Sequence, residues 1–201
     1  MQKINQRHLE TFSLTKSLTF YRFDSMCIII DTNTFKSVFD EESAKHEEFK
    51  PVYDWILEGE GKIVYGGTKY KEELKKAYRI IKVFGQFARM RKVIPIDDSE
   101  VDNYQKILEE LENHRDFDDP HLVSICYISK CRLVCTDEKR ALPFLARKDF
   151  YPNNSPRPKI YTGKRNSDLL CRNNMAEICM PCAKLKKVES EELRKTTANI
   201  V

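Results

Sequence analysis

Four acids stand where an apolar run gives way to a helix or a loop: Asp31, Glu73, Asp119 and Asp137. Asp31 closes the run Cys27-Ile28-Ile29-Ile30, and Asp137 closes Arg132-Leu133-Val134-Cys135-Thr136. Asp119 precedes Pro120, and Glu73 follows the pair Gly66-Gly67 by about two helical turns. If these four meet, their charges repel, and each is protonated or destabilised unless a counter-charge is present. A divalent cation supplies one. Oxygen-only ligands suit Mg²⁺ or Mn²⁺ better than zinc. Such an ion holds a phosphodiester, lowers the pKa of a bound water and stabilises the leaving oxygen.

Taken singly, each acid has an ordinary explanation. Asp119 before a proline is a helix cap, Asp31-Thr32-Asn33 is a turn, and Glu72 and Glu73 belong to a Lys/Glu-rich helix with a solvated face. Asp137 can likewise be a turn residue or a cap. A site requires all four to arrive at one edge. His121 lies in the first turn after Asp119 and reads as structural or solvated rather than as a general base. Lys36, Lys139, Arg140, Lys164 and Arg165 can meet phosphates, with Lys139 and Arg140, just past the fourth acid, the best placed.

The elements that would position these residues follow from hydrophobic periodicity. Residues 26–31 form an apolar run of strand length, the pattern of a strand covered on both faces. Helical material follows, with Phe35, Val38 and Phe39 on one face and Phe49, Val52, Tyr53 and Ile56 on another; Pro51 should break or kink it. Residues 62–65 are a second strand. A helix from about Thr68 carries Tyr70, Leu74, Ala77, Tyr78 and Ile81. Residues 92–96 are a third strand, kept to an edge or a strand end by Pro95. Ser99 caps a helix bearing Val101, Tyr104, Leu108 and Leu111. Asp119 caps another that begins at Pro120, and 132–136 is the next strand. A proline-rich loop, a short strand at 159–161 and a helix at 166–172 complete the pattern.

Strands alternating with helices predict a three-layer α/β/α fold with a central parallel sheet of four or five strands, 26–31 and 132–136 being neighbours. In such sheets ligands sit at the carboxyl ends of the strands. The distances agree: about eleven helical residues descend roughly 16 Å after Asp119, and about five strand residues climb back by a similar amount to Asp137.

Four segments together resemble a PIN domain over residues 26–172: Ile28-Ile29-Ile30-Asp31-Thr32-Asn33; Gly66-Gly67-Thr68 leading to Glu72-Glu73-Leu74; Asp118-Asp119-Pro120-His121-Leu122; and Leu133-Val134-Cys135-Thr136-Asp137-Glu138. The resemblance implies a metal-dependent endoribonuclease whose first strand is central, using Mg²⁺ or Mn²⁺ on single-stranded RNA. Products would carry a 5′-phosphate and a 3′-hydroxyl. Many bacterial members are toxins held by an antitoxin, so the resemblance implies such a protein partner beside RNA, and it leaves homo-oligomers open. Asp31 matches the family's first acid and Asp119 its third. The second acid usually precedes leucine or isoleucine, which favours Glu73 over Glu72. Strict register for the fourth selects Glu138, whereas nearness to the strand end favours Asp137, with Glu138 kept as the alternate. A non-catalytic PIN-like module that binds RNA or protein is the first competing function. A haloacid-dehalogenase-like phosphatase is the second, but it wants an aspartate where Asn33 stands. A structure-specific DNA nuclease shares the same chemistry.

Composition sets the frame. Of the 201 residues, 41% are apolar and 33% charged, enough for one domain with a core, and no apolar run approaches the roughly 20 residues of a membrane span. The net charge of +4 is too small to demand nucleic acid. Seven cysteines, an odd number, point to reduced thiols in a cytoplasm, with Cys27, Cys126 and Cys135 as small core residues. Cys179-Met180-Pro181-Cys182 has metal-knuckle spacing, but only Cys171 lies near and no histidine follows, so free thiols are expected. Residues 1–25 read as an N-terminal extension and 173–201 as a charged tail.

Overall fold

The computed structural model describes residues 27–198 apart from 77, 154, 172, 173, 175 and 180–182. The expected extension at 1–25 lies outside the described residues.

Five short strands form one parallel sheet: β1 (Cys27–Ile30), β2 (Lys62–Tyr65), β3 (Val93–Pro95), β4 (Leu133–Cys135) and β5 (Lys159–Tyr161), in the order β3-β2-β1-β4-β5. Every residue of β1 and β4 is buried, as continuous apolar runs require when both faces are covered. Ile29 pairs with Val134 and Ile30 with Cys135, so the two strands that end in acids are neighbours. Pro95 ends β3 at the sheet edge, where its missing N–H breaks no ladder.

The helices are α1 (Phe35–Phe39), α2 (His46–Leu57), α3 (Thr68–Lys76), α4 (Tyr78–Arg89), α5 (Asp98–Leu111), α6 (Pro120–Ser129), α7 (Leu142–Leu145) and α8 (Lys187–Thr197). They pack in two groups over the sheet: α1 against α2, with α8 on both α2 and α4, and α5 against α6. The result is the expected α/β/α arrangement with a parallel sheet. No helix among the described residues is long and apolar enough to cross a membrane.

Several local expectations give way to tertiary structure. Helix α2 runs uninterrupted over Pro51, with Phe49, Val52, Tyr53 and Ile56 all buried along it. Helix α5 is capped by Asp97, whose carboxylate accepts the Glu100 N–H at 3.0 Å, so it starts before Ser99. Of the apolar face expected after β2, Tyr70 and Leu74 are buried on α3, Ala77 lies outside the described residues, and Ile81 is exposed on α4, which instead buries Val83, Phe84 and Phe87. The helix expected at 166–172 is a 3-10 segment, Lys164–Leu169. The polar C-terminal region carries α8, whose Leu193 and Thr197 are buried; the Tyr53 hydroxyl lies 3.0 Å from Thr197 Oγ1. Composition hides this helix because only one narrow stripe of it is apolar.

Contrary to the expectation from the odd cysteine count, not all the thiols are reduced. Cys27 and Cys179 are joined in a disulfide that ties the C-terminal segment to β1. Cys126, Cys131, Cys135 and Cys171 are free, the first three buried, and burial raises the thiol pKa of all three, that of Cys131 to about 12. Cys182 lies outside the described residues.

Candidate metal centre

Strand order reverses between β1 and β4, one running on to β2 and β3 and the other to β5. The loops leaving two such strands part in opposite directions and leave a crevice at the carboxyl ends, the usual ligand position in open α/β sheets. Asp31 and Thr136, the residues just after these strands, face one another across it: Thr136 Oγ1 donates to Asp31 Oδ2 at 2.7 Å. The other carboxylate oxygen, Oδ1, accepts the Asn33 N–H at 3.0 Å, and the Asp31 N–H donates to the Cys135 carbonyl at 2.9 Å. Asp31 is thus both the expected turn residue and a fixed, 2% exposed carboxylate. Its burial raises the pKa; the Thr136 and Asn33 hydrogen bonds oppose this only in part.

Glu73 arrives on α3. That helix begins at a turn only glycine makes readily: Gly67 has φ of +83°, and a Cβ there would lie 2.6 Å from Val101 Cγ1. The freed N–H groups at its start are met from α5, since Gly67 N donates to Asp98 Oδ1 at 2.9 Å and Thr68 N to Asp102 Oδ1 at 2.8 Å. Tyr70 then anchors α3 to β1, its hydroxyl donating to the Ile30 carbonyl at 2.6 Å. One turn on, Glu73 Oε2 accepts the Thr32 hydroxyl at 2.7 Å. Glu72 is exposed, as helical geometry implies for the neighbour of a residue that faces the core edge.

Asp119 stands at the N-cap position of α6 but makes no capping hydrogen bond with its side chain. Its carboxylate is therefore not occupied by the helix. Burial, followed by the negative charges of Asp31, Asp118 and Glu73, raises its pKa to about 6 against the opposing influence of His121.

His121 is the residue sequence reasoning undervalued. It is only 1% exposed, so it is not solvated. Its Nε2 lies 3.4 Å from Glu73 Oε2 and its Nδ1 4.0 Å from Asp119 Oδ1. Glu73, Asp119 and His121 each offer one ligand atom within 4.8 Å of the others. Burial raises the Glu73 pKa, but contact with His121 and the Thr32 hydroxyl outweigh it and bring the value down to about 2. The signal in the sequence was the spacing: in a helix beginning at Pro120, the second residue shares the end of the helix with its cap.

Asp137 is placed differently from the other three. Its N–H donates to Thr34 Oγ1 at 3.1 Å, and its carboxylate pairs with Lys45. Glu138, the alternate, is held by Arg140, and that contact lowers its pKa. Arg140 also faces Asp118 at 3.5 Å and Asp116 at 3.9 Å, so acids surround it. Lys36 lies 3.8 Å from Asp40. Lys139 is exposed and, with Arg165, Asp137, Glu138, Leu142 and Thr162, lines a cleft of about 210 Å³. Lys164 is exposed as well.

The donor chemistry suits a divalent cation: one buried and two half-buried carboxylates at one edge, with Asp119 holding its proton unusually tightly because burial disfavours its charge. Comparison with protein-family models, with curated proteins and with solved structures finds no match to this chain.

Proposed function

We propose that this chain is a PIN-type, metal-dependent endoribonuclease that cuts single-stranded RNA to leave 5′-phosphate and 3′-hydroxyl ends. The observation that carries the reading is the meeting of Glu73, Asp119 and His121, beside Asp31, at the crevice between β1 and β4. Asp31, Glu73 and Asp119 would hold Mg²⁺ or Mn²⁺. A cation bound there would supply an activated water and neutralise charge on the phosphate. Thr32 and Thr136 keep two of the carboxylates in fixed rotamers, so little reorganisation is needed on binding. Lys139 and Arg165 offer positive charge to the flanking backbone along the adjoining cleft. Arg140, engaged by Glu138, is poorer placed for that role than Lys139. An antitoxin partner belongs to the same proposal and rests on the family resemblance alone; a cytoplasmic location rests on the free thiols, against which the Cys27–Cys179 disulfide counts.

The pairing of Asp137 with Lys45 favours a second reading. An internal cation already neutralises the fourth acid, as in a PIN-like module that binds RNA without cutting it. Labelled single-stranded RNA, single-stranded and structured DNA, and a small phosphate ester, each with Mn²⁺ or Mg²⁺, separate the readings. The nuclease reading expects cleavage of RNA that Asp31→Asn removes. Binding of RNA without cleavage by either metal supports the module. Hydrolysis of the ester alone supports a phosphatase.

A further inference from the structure

The imidazole of His121 has a polar atom the fold leaves unused. Nδ1 is buried and has no hydrogen-bond partner among the described residues. Buried polar atoms are nearly always satisfied, and an orphan in a native fold calls for an explanation such as an absent ion. The other nitrogen, Nε2, faces Glu73 Oε2 at 3.4 Å, and that oxygen is already fixed by the Thr32 hydroxyl. A carboxylate on one imidazole nitrogen keeps the proton there and leaves the lone pair on the other, the arrangement that orients metal-binding histidines. The ring is further confined by Tyr70, edge-to-face at 6.2 Å between centroids.

The lone pair on Nδ1 faces Asp119 Oδ1 across 4.0 Å. That gap is too long for a hydrogen bond and within twice a metal–ligand bond of about 2.1 Å. Asp119 is in turn the acid that declines its capping role. Two side chains from one helix start, His121 buried and Asp119 half-buried, one with an unpartnered nitrogen and the other making no capping bond, thus face the same small space.

We propose that His121 Nδ1 is a direct metal ligand, paired with Asp119, and that it tunes the centre toward a transition ion such as Mn²⁺ over Mg²⁺. This rests on the metal reading of the cluster and not on the RNA substrate. The chemistry is that of ligand softness: carboxylates alone accept Mg²⁺ readily, whereas an imidazole nitrogen strengthens binding of first-row transition ions and does little for Mg²⁺. Glu73 then acts on two levels, holding the ring in register and adding negative charge beside the ion.

The test uses the full chain, purified and stripped of metal. Mn²⁺ affinity is measured by the loss of the free-ion EPR signal, and Mg²⁺ affinity by competition with Mn²⁺. His121→Gln keeps a polar group facing Glu73 and removes Nδ1. It should weaken Mn²⁺ binding at least about tenfold and leave Mg²⁺ binding within about threefold, with circular dichroism unchanged. Pulsed EPR of the Mn²⁺-loaded wild type provides a readout that does not depend on any variant folding. A directly bound imidazole gives a ¹⁴N coupling on manganese. Bound Mn²⁺ without nitrogen coupling overturns the role of His121 and leaves the carboxylate centre standing. Wild-type protein that binds neither ion overturns both.

Discussion

Asp119 is a carboxylate whose charge the folded state tolerates poorly. Its pKa rises from 3.8 to about 6, with desolvation the leading cause. The sign follows from linkage: the folded form holds a proton that the unfolded chain releases between about pH 4 and 6, so stability falls as pH rises through that window and stays lower above it. Asp119→Asn should therefore raise the Tm of the metal-free protein at pH 7.5. The gain is about 2–4 °C for each kcal/mol recovered, and the difference from wild type should vanish below about pH 4. Calorimetry of both proteins across that range checks it, and equal Tm differences at every pH would deny Asp119 its raised pKa. Glu73 has the opposite sign: its pKa of about 2 lies below the usual 4.5, so its contribution is present above pH 4.5 and fades toward pH 2. Asp31 accepts hydrogen bonds on both oxygens, and an asparagine can keep one of them and donate to Thr136. Asp31→Asn should leave the circular dichroism spectrum intact and reduce RNA cleavage on the order of 10³-fold, the scale of removing one group that stabilises transition-state charge.

At the scale of elements, the site depends on where α3 begins. Gly67→Ala forces a non-glycine residue to φ of +83° against Val101; such strain costs about 1–3 kcal/mol. It should lower the Tm and, because Glu73 rides on the same helix, weaken Mn²⁺ binding as well. A drop in Tm with unchanged Mn²⁺ affinity would separate the turn from the site. Leu193 on α8 is fully buried, so Leu193→Ala should cost about 2–5 kcal/mol, measured by urea denaturation, and leave metal affinity alone. A cost below 1 kcal/mol would mean that α8 is not docked as described. The sheet was legible in the sequence because buried parallel strands are unbroken apolar runs, and the placement of Asp31, Glu73 and Asp119 in the candidate site was legible because one follows a strand, one lies in the helix after a strand and one stands at a helix start. Other features were not, each for a physical reason. Pro51 sits within α2 because the packing of Phe49, Val52, Tyr53 and Ile56 outweighs one lost hydrogen bond. Asp97 rather than Ser99 caps α5, since several cap-forming residues crowd that turn. The disulfide partners Cys27 and Cys179 are 152 residues apart, and spacing says nothing about such a pair. A lone histidine in a sequence has many ordinary roles, and only burial between two acids distinguishes His121.

On the scale of the whole molecule, topology and chemistry meet at one place. The sheet reverses its strand order between β1 and β4, and the crevice opened there holds Asp31, with Glu73, Asp119 and His121 brought in from α3 and α6. A cation bound to that crevice in the folded state alone must stabilise the fold by mass action, by about 2.7 kcal/mol at a hundredfold excess over its Kd. A rise in Tm with added Mn²⁺, absent in Asp31→Asn, is expected from thermal melts; equal shifts in both proteins would mean that the ion binds elsewhere. The most direct test of the central claim is cleavage of end-labelled single-stranded RNA by the purified chain, with Mn²⁺ and then with EDTA, followed by analysis of the new ends. The account predicts cleavage that stops with EDTA, returns with Mn²⁺, and leaves 5′-phosphate and 3′-hydroxyl ends. Cleavage that survives EDTA, or products ending in a 2′,3′-cyclic phosphate, would contradict it.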